Sequence, residues 1–143
     1  METIEEKIIK GGEFIIKKTK CDEVFTPEDF SDEQKMMRDA VKDFTDKEIW
    51  SKKHEFENHN YQLTADVMKK AGNLGFLGVN VPEEYGGLGM PFTSSMLVCD
   101  YISGSSGSTS TAFGAHTGIG TMPILLYGTD EQKKKYVPKL ATG

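Results

Sequence analysis

The 143-residue chain contains two cysteines, Cys21 and Cys99, one tryptophan and five prolines. Two thiols with no Cys or His at metal-ligand spacing exclude a disulfide-rich scaffold and a zinc module. A reducing, cytoplasmic setting is the expectation, although a single Cys21–Cys99 bridge is left open by sequence. Positive charge is also short: 17 Lys and Arg stand against 22 Asp and Glu, a net charge of -5. Nucleic-acid binding needs a concentrated basic surface, so no nucleic-acid partner is expected. No long apolar run is present. The most apolar stretch, 111–127, is too short to cross a bilayer comfortably and carries His116, Thr117, Thr121 and Pro123, so no membrane insertion is expected. The acidic start Met1-Glu2-Thr3-Ile4-Glu5-Glu6 lacks the apolar centre of a secretory signal and the basic character of a transit peptide.

What is present is helical periodicity. Residues 1–30 give weak signals and form a leader, broken by Gly11-Gly12. Within it Phe14-Ile15-Ile16 suits a short strand or an apolar strip, and Pro27 marks a boundary. From Ser31 a capping box to Gln34 opens a first helix, with Asp32 and Glu33 complementing its dipole. Met37, Ala40, Val41 and Phe44 follow at the spacing of one apolar stripe, and the helix runs toward Trp50 or Phe56 before the polar cluster 57–60. A second helix covers 61–73, with Leu63, Val67, Ala71 and Leu74 on one face and Gly75 as its stop. Residues 76–82 read as extended and apolar, and 83–89 as a glycine-rich loop.

A third helix is predicted over 93–103. The Ser/Gly stretch 103–110 reads as a tight interhelical turn rather than a flexible linker. A fourth helix covers 109–126. A fifth opens at Thr129 with a capping box to Gln132, and Pro138 is expected to bend or shorten its end. With no alternating segments, the fold class is all-α: a helical bundle of four to five helices, occupying 31–143 after the leader 1–30.

Few residues carry chemistry. Gly86-Gly87-Leu88-Gly89 lacks the spacing of a dinucleotide or phosphate loop and reads as a tight turn, with a ligand entrance as the alternative. His54, His59 and His116 form no i, i+4 pair, so no metal site is expected. His116, inside an apolar helix, suits a histidine with one hydrogen-bonded ring nitrogen. Cys99 has no neighbouring base and reads as a core residue, and Glu83-Glu84 do not form a catalytic dyad. No catalytic residue is expected in this chain. The fourth helix is the most informative element. Thr111, Ala115 and Ile119 fall on one line with Ala112 beside it, and Gly114 and Gly118 make a small pair on an adjacent face. Such residues either admit a neighbouring helix closely or leave room for an apolar ligand, and periodicity does not choose between the two.

The run Leu74-Gly75-Phe76-Leu77-Gly78-Val79-Asn80-Val81-Pro82-Glu83-Glu84-Tyr85-Gly86-Gly87-Leu88-Gly89 resembles the signature loop of acyl-CoA dehydrogenase N-terminal domains. A second run, from Met122-Pro123-Ile124-Leu125-Leu126-Tyr127-Gly128 through Thr129-Asp130-Glu131-Gln132 to Gly143, is similar to the same family in order and spacing. The leader, with Phe25-Thr26-Pro27-Glu28-Asp29-Phe30, and Gly114-Ala115-His116 resemble its long-chain and very-long-chain members.

The resemblance implies a subunit with a helical domain, a β domain and a second helical bundle, the last two absent here. It implies FAD as cofactor and a fatty acyl-CoA as substrate. It further implies electron-transferring flavoprotein as partner and a homo-oligomeric parent. In such enzymes a carboxylate base takes the α-proton, acidified by the thioester, while a hydride leaves Cβ for the flavin. The base belongs to the last domain, so this stretch alone is expected to be inactive. Carried over by position, Thr111, Ala112, Ala115 and Ile119 would bind substrate by lining an acyl tunnel. Ala115 stands where a bulkier residue floors the pocket of shorter-chain relatives. The alternatives are a related acyl-CoA oxidase or flavin monooxygenase, and a non-enzymatic helical interaction module.

Overall fold

The computed structural model describes Ile9 and residues 11–143; the acidic start Met1–Glu6 lies outside the described residues. Contacts divide the chain into two units, residues 1–35 and 36–143.

The first unit contains three single-turn 3₁₀ helices, Glu13–Ile15, Cys21–Glu23 and Pro27–Asp29. Phe14-Ile15-Ile16 is therefore neither a strand nor a buried strip. The Gly12 carbonyl accepts from the Ile15 amide, and the Glu13 carbonyl from Ile16 and Lys17, so the backbone bonds locally while all three side chains stay exposed. The turns are closed by side chains: the Lys20 amide donates to Glu23 (2.9 Å) and the Thr26 amide to Asp29 (2.7 Å). Phe25 meets Phe30 edge-on, with ring centroids 5.2 Å apart.

Helix α1, Asp32–Phe44, starts at the capping box, with the Ser31 amide donating to Gln34 at 3.0 Å and the Gln34 amide to Ser31 at 3.2 Å. It continues as a π turn, Thr45–Ile49, a 3₁₀ turn, Trp50–Lys52, and α2, Lys53–Glu57. Of the predicted stripe, Val41 and Phe44 are buried and Met37 partly so, but Ala40 is exposed. Helix α3, Tyr61–Asn73, has the predicted bounds. The Asn60 side chain caps it, accepting from the Leu63 amide at 3.1 Å. It ends in a Schellman motif: the Phe76 amide reaches the Ala71 carbonyl and the Gly75 amide the Gly72 carbonyl, around Gly75 at φ +81°.

The segment after α3 is not extended. Residues 74–81 make successive turns that bury Phe76, Leu77, Val79 and Val81, and a 3₁₀ turn follows at Glu83–Tyr85. The glycine-rich loop then folds back. Leu88, Gly89 and Met90 amides donate to the Gly78, Val81 and Val79 carbonyls, each at 2.9 Å.

Helix α4 is Phe92–Ser105 and α5 is Gly107–Gly114, so Ser106 alone makes the interhelical turn. Helix α5 runs on through a π stretch, Ala115–Thr121, into α6, Met122–Tyr127. Helix α7, Asp130–Thr142, is capped reciprocally by Thr129 and Gln132. Pro138 does not shorten α7. It deprives only the Lys134 carbonyl of a donor, and Lys134 is an exposed residue that water can serve.

The described residues thus form five helical rods and no strand, an all-α fold. In the second unit α5 packs on α2, α3 and α4, and α7 packs on α3, α6 and the π stretch. Phe113, 1% exposed, sits in the main core with Val41, Ile49, Phe56, Val67 and Val98. Val81, Val137 and Ala141 form a second cluster. Among the described residues no helix is long and apolar enough to cross a membrane.

Candidate functional site

The rod spanning residues 107–127 presents two unlike sides. On the inner side Thr109, Phe113 and Thr121 are fully buried. On the outer side Thr111 and Ala115 are exposed, Ala112 is half-buried, and Ile119 is 80% exposed. A Cβ at Gly114 or Gly118 would meet nothing within 4 Å. Of the two explanations open in the sequence for these small residues, close approach of a neighbouring helix is not used among the described residues. Leu126 and Tyr127 extend the exposed apolar surface past the π stretch.

The middle of the rod widens for identifiable reasons. Pro123 has no amide proton and its ring crowds the carbonyl four residues back, which favours a wider turn before it. The Thr121 hydroxyl donates to the His116 carbonyl five residues back at 2.8 Å, and the Thr117 hydroxyl to Phe113 at 2.8 Å. The Thr111 hydroxyl is likewise turned to its own helix, donating to the Gly107 carbonyl at 2.9 Å. What Thr111 shows outward is therefore mainly its methyl group. His116 is half-buried and donates from Nε2 to the Leu140 carbonyl of α7 at 2.7 Å. Asn80 donates to the Met122 sulfur at 3.4 Å, tying the loop after α3 to the start of α6.

A second feature escapes sequence reasoning. A groove of about 340 Å³ is lined by Ala40, Asp43, Phe44, Lys47, Glu48, Leu74 and Phe76. Its ionisable groups are already paired. Lys47 bonds Asp43, and the Glu48 carboxylate accepts from Lys52 at 2.8 Å and Lys70 at 2.7 Å. The hydrogen bonds from Lys52 and then Lys70 hold the Glu48 carboxyl below its usual range. The i, i+4 pair Glu48/Lys52 was readable in the sequence; Lys70 joins it only through the fold.

The remaining candidates are structural. His54 is almost fully exposed beside Glu57, and His59 occupies a turn at φ +59°. Cys99 lines the core with its sulfur 3.7 Å from the Ser103 hydroxyl, and both thiols are free. Glu83 and Glu84 lie exposed in a 3₁₀ turn. Among the described residues no three His, Cys, Asp or Glu side chains are grouped to hold a metal.

Comparison with known proteins places these features in a family context. Residues 31–143 match the family model described as "Acyl-CoA dehydrogenase, N-terminal domain". A probable acyl-CoA dehydrogenase of Bacillus subtilis is 46% identical over 134 residues, which cover 94% of this chain and 22% of that protein. A mitochondrial isovaleryl-CoA dehydrogenase of Solanum tuberosum is 37% identical over 115 residues, covering 80% of this chain and 28% of the relative. Among solved structures, an acyl-CoA dehydrogenase complexed with FAD from Bacillus anthracis superposes with a TM-score of 0.85 at 46% identity, covering 94% of this chain and 23% of the other. The chain thus spans about a quarter of the length of the proteins it matches.

Proposed function

The chain belongs to the acyl-CoA dehydrogenase N-terminal domain family, and on that premise we propose that it forms one wall of the acyl-chain site in an FAD-dependent acyl-CoA dehydrogenase. The observation that carries this reading is the outer side of the 107–127 rod. Thr111, Ala112, Ala115 and Ile119 make an exposed, largely apolar strip beside two glycines with open space where their side chains would stand. An alkyl chain needs a surface that is apolar, free of bulky side chains and has its polar groups turned inward. Here the hydroxyls of Thr111, Thr117 and Thr121 all bond backbone carbonyls.

The paired groove beside α1 does not fit a flavin. Its lining sets two carboxylates, Asp43 and Glu48, against one lysine, Lys47, a charge balance that does not attract a pyrophosphate. FAD therefore belongs, in this reading, to parts of the subunit other than this stretch. The same holds for the base that removes the α-proton, because no described carboxylate lies on the outer strip. Electron-transferring flavoprotein is the acceptor and the parent is a homo-oligomer. Two free thiols suit a cytoplasmic, reducing location.

Within this reading Ala115 favours a long fatty acyl chain, in contrast to the isovaleryl group named for one relative. Each methylene that finds an apolar site contributes about 0.8 kcal/mol. Filling the Ala115 position so that two methylenes lose their place should then cost the longest substrates about tenfold in kcat/KM. In the full-length enzyme Ala115→Phe is expected to lower the C16-to-C8 ratio of kcat/KM by about that factor. A wild-type preference for C8 or shorter acyl-CoAs overturns the chain-length reading. Turnover with oxygen rather than a dye or flavoprotein acceptor would move the protein to the oxidases.

A further inference from the structure

The helix that carries the outer strip is tied to α7 by the His116 side chain, the histidine for which the sequence suggests one hydrogen-bonded ring nitrogen. His116 lies within the π stretch, one residue from exposed Ala115, and its Nε2 donates to the Leu140 carbonyl at 2.7 Å. A carbonyl oxygen only accepts, so the ring proton sits on Nε2. Leu140 is in the last turn of α7, where carbonyls have no intrahelical donor. The Gly143 amide serves Lys139, the residue before it, and the imidazole serves Leu140. The bond thus gives the Leu140 carbonyl a donor from outside α7.

The far end of that bond is held firmly. A Cβ at Gly72 would stand 2.2 Å from the Thr142 carbonyl oxygen, so α3 lies flush against the end of α7. Val137 and Ala141 are buried on either side of Leu140. From this fixed frame the imidazole reaches back to the π stretch. The Thr121 hydroxyl closes the circuit on the other side by donating to the His116 carbonyl at 2.8 Å. One residue therefore fixes the wide turn through its side chain and its backbone together. A π turn is a local excess of one residue, and where it sits sets the azimuth of every residue after it. Shifting it would rotate Ile119 relative to Ala115.

We propose that His116 is a positioning residue for acyl-chain specificity: its bond to Leu140 pins the π stretch so that Ala115 and Ile119 form one continuous wall. This rests on the acyl-wall reading above, and the test separates the two. In the full-length enzyme, His116→Leu removes the donor while keeping an apolar side chain of comparable bulk. His116→Gln keeps an N–H donor at nearly the same reach.

The expected result for His116→Leu is a C16-to-C8 ratio of kcat/KM lowered about fivefold, chiefly through KM for the long substrate, with flavin content unchanged. His116→Gln is expected to stay within twofold of wild type. A purely structural histidine would lower activity evenly across chain lengths and would not distinguish these substrates. An unchanged ratio in His116→Leu, or an equal shift in His116→Gln, overturns the inference. Should His116→Leu fail to fold, His116→Asn, polar but too short to reach Leu140, decides by the same ratio. If Ala115→Phe alters the ratio and the His116 variants do not, only the positioning role fails. If none alters it, the acyl-wall reading fails with it.

Discussion

Replacing Gly87 with alanine tests the packing of the glycine-rich loop in a way that its neighbours calibrate. A Cβ on Gly87 would stand 2.1 Å from the Val81 carbonyl oxygen and 2.5 Å from the Val81 Cβ. Both belong to a residue only 1% exposed, so neither can swing aside as a surface side chain would. Relief requires the loop to lift by more than an ångström. The Val81 carbonyl also accepts from the Gly89 amide at 2.9 Å, and lifting the loop breaks that bond. Overpacking costs about 1–3 kcal/mol, and a buried group left without its partner about 1–3 kcal/mol more. A total of about 3–4 kcal/mol corresponds to a fall in Tm of roughly 10 °C for a domain of this size.

Two further variants set the scale. Gly86 has φ +82° with nothing near its Cβ position, so Gly86→Ala should lose only the roughly 1–2 kcal/mol of left-handed strain. Gly114 is helical and open, so Gly114→Ala should gain about 0.5–1 kcal/mol. Thermal and urea unfolding followed by circular dichroism at 222 nm should rank Gly87→Ala well below Gly86→Ala, and Gly114→Ala above wild type. Equal losses for Gly86→Ala and Gly87→Ala would refute the close approach.

Two other outcomes follow from the same contacts. Removing the Thr129 hydroxyl as Thr129→Ala, which loses the bond to the Gln132 amide, should cost about 1 kcal/mol in urea unfolding; no change would mean the cap is not formed in solution. Glu48 has its folded pKa lowered from 4.5, so its pairing stabilises the fold above that value and is lost as pH falls through the lowered one. Wild type should exceed Glu48→Gln by about 0.5–1 kcal/mol at pH 7, and the gap should shrink as the pH is lowered below 4.5; a gap that does not change with pH would sink the pairing.

Legibility in the sequence followed the range of the interaction. The capping boxes at Ser31/Gln34 and Thr129/Gln132 and the Gly75 stop are written within four residues, and the structure contains each of them. Helix α3 matches its predicted bounds for the same reason. The apolar stretch Phe76–Pro82 misled because burial, not strand pairing, is what its Phe, Leu and Val residues serve. Ala40 misled in the opposite sense, since an alanine fits a stripe pattern whether or not anything covers it. Neither π turn was visible, because a 3.6-residue template does not register one extra residue. The glycine loop reads as a tight turn and is one: Gly86 and Gly89 take positive φ, while Gly87 is there for lack of space, which composition does not reveal. Lys70 on Glu48 and His116 on Leu140 link residues 22 and 24 apart in sequence, a distance over which no local rule applies.

Among the described residues nothing covers the bare side of the 107–127 rod. Its inner side accounts for its own composition: Phe113 and Thr121, each 1% exposed, hold it to the core. The outer side does not. Alanine at Gly114 would meet no atom within 4 Å and would strengthen the helix, yet glycine stands there. Ile119, Leu126 and Tyr127 expose apolar area that gives this stretch no stability at all. A helix that forgoes propensity on one side while exposing apolar groups there is shaped for what lies against it. Gly114→Ala therefore separates the two demands. It should raise the Tm of this chain while lowering long-chain turnover in the full-length enzyme, because the added methyl group stands beside Ala115 on the side the acyl chain would occupy. A gain in stability with no change in turnover would place the acyl chain elsewhere, and the smallness of Gly114 would then need an explanation from protein packing alone.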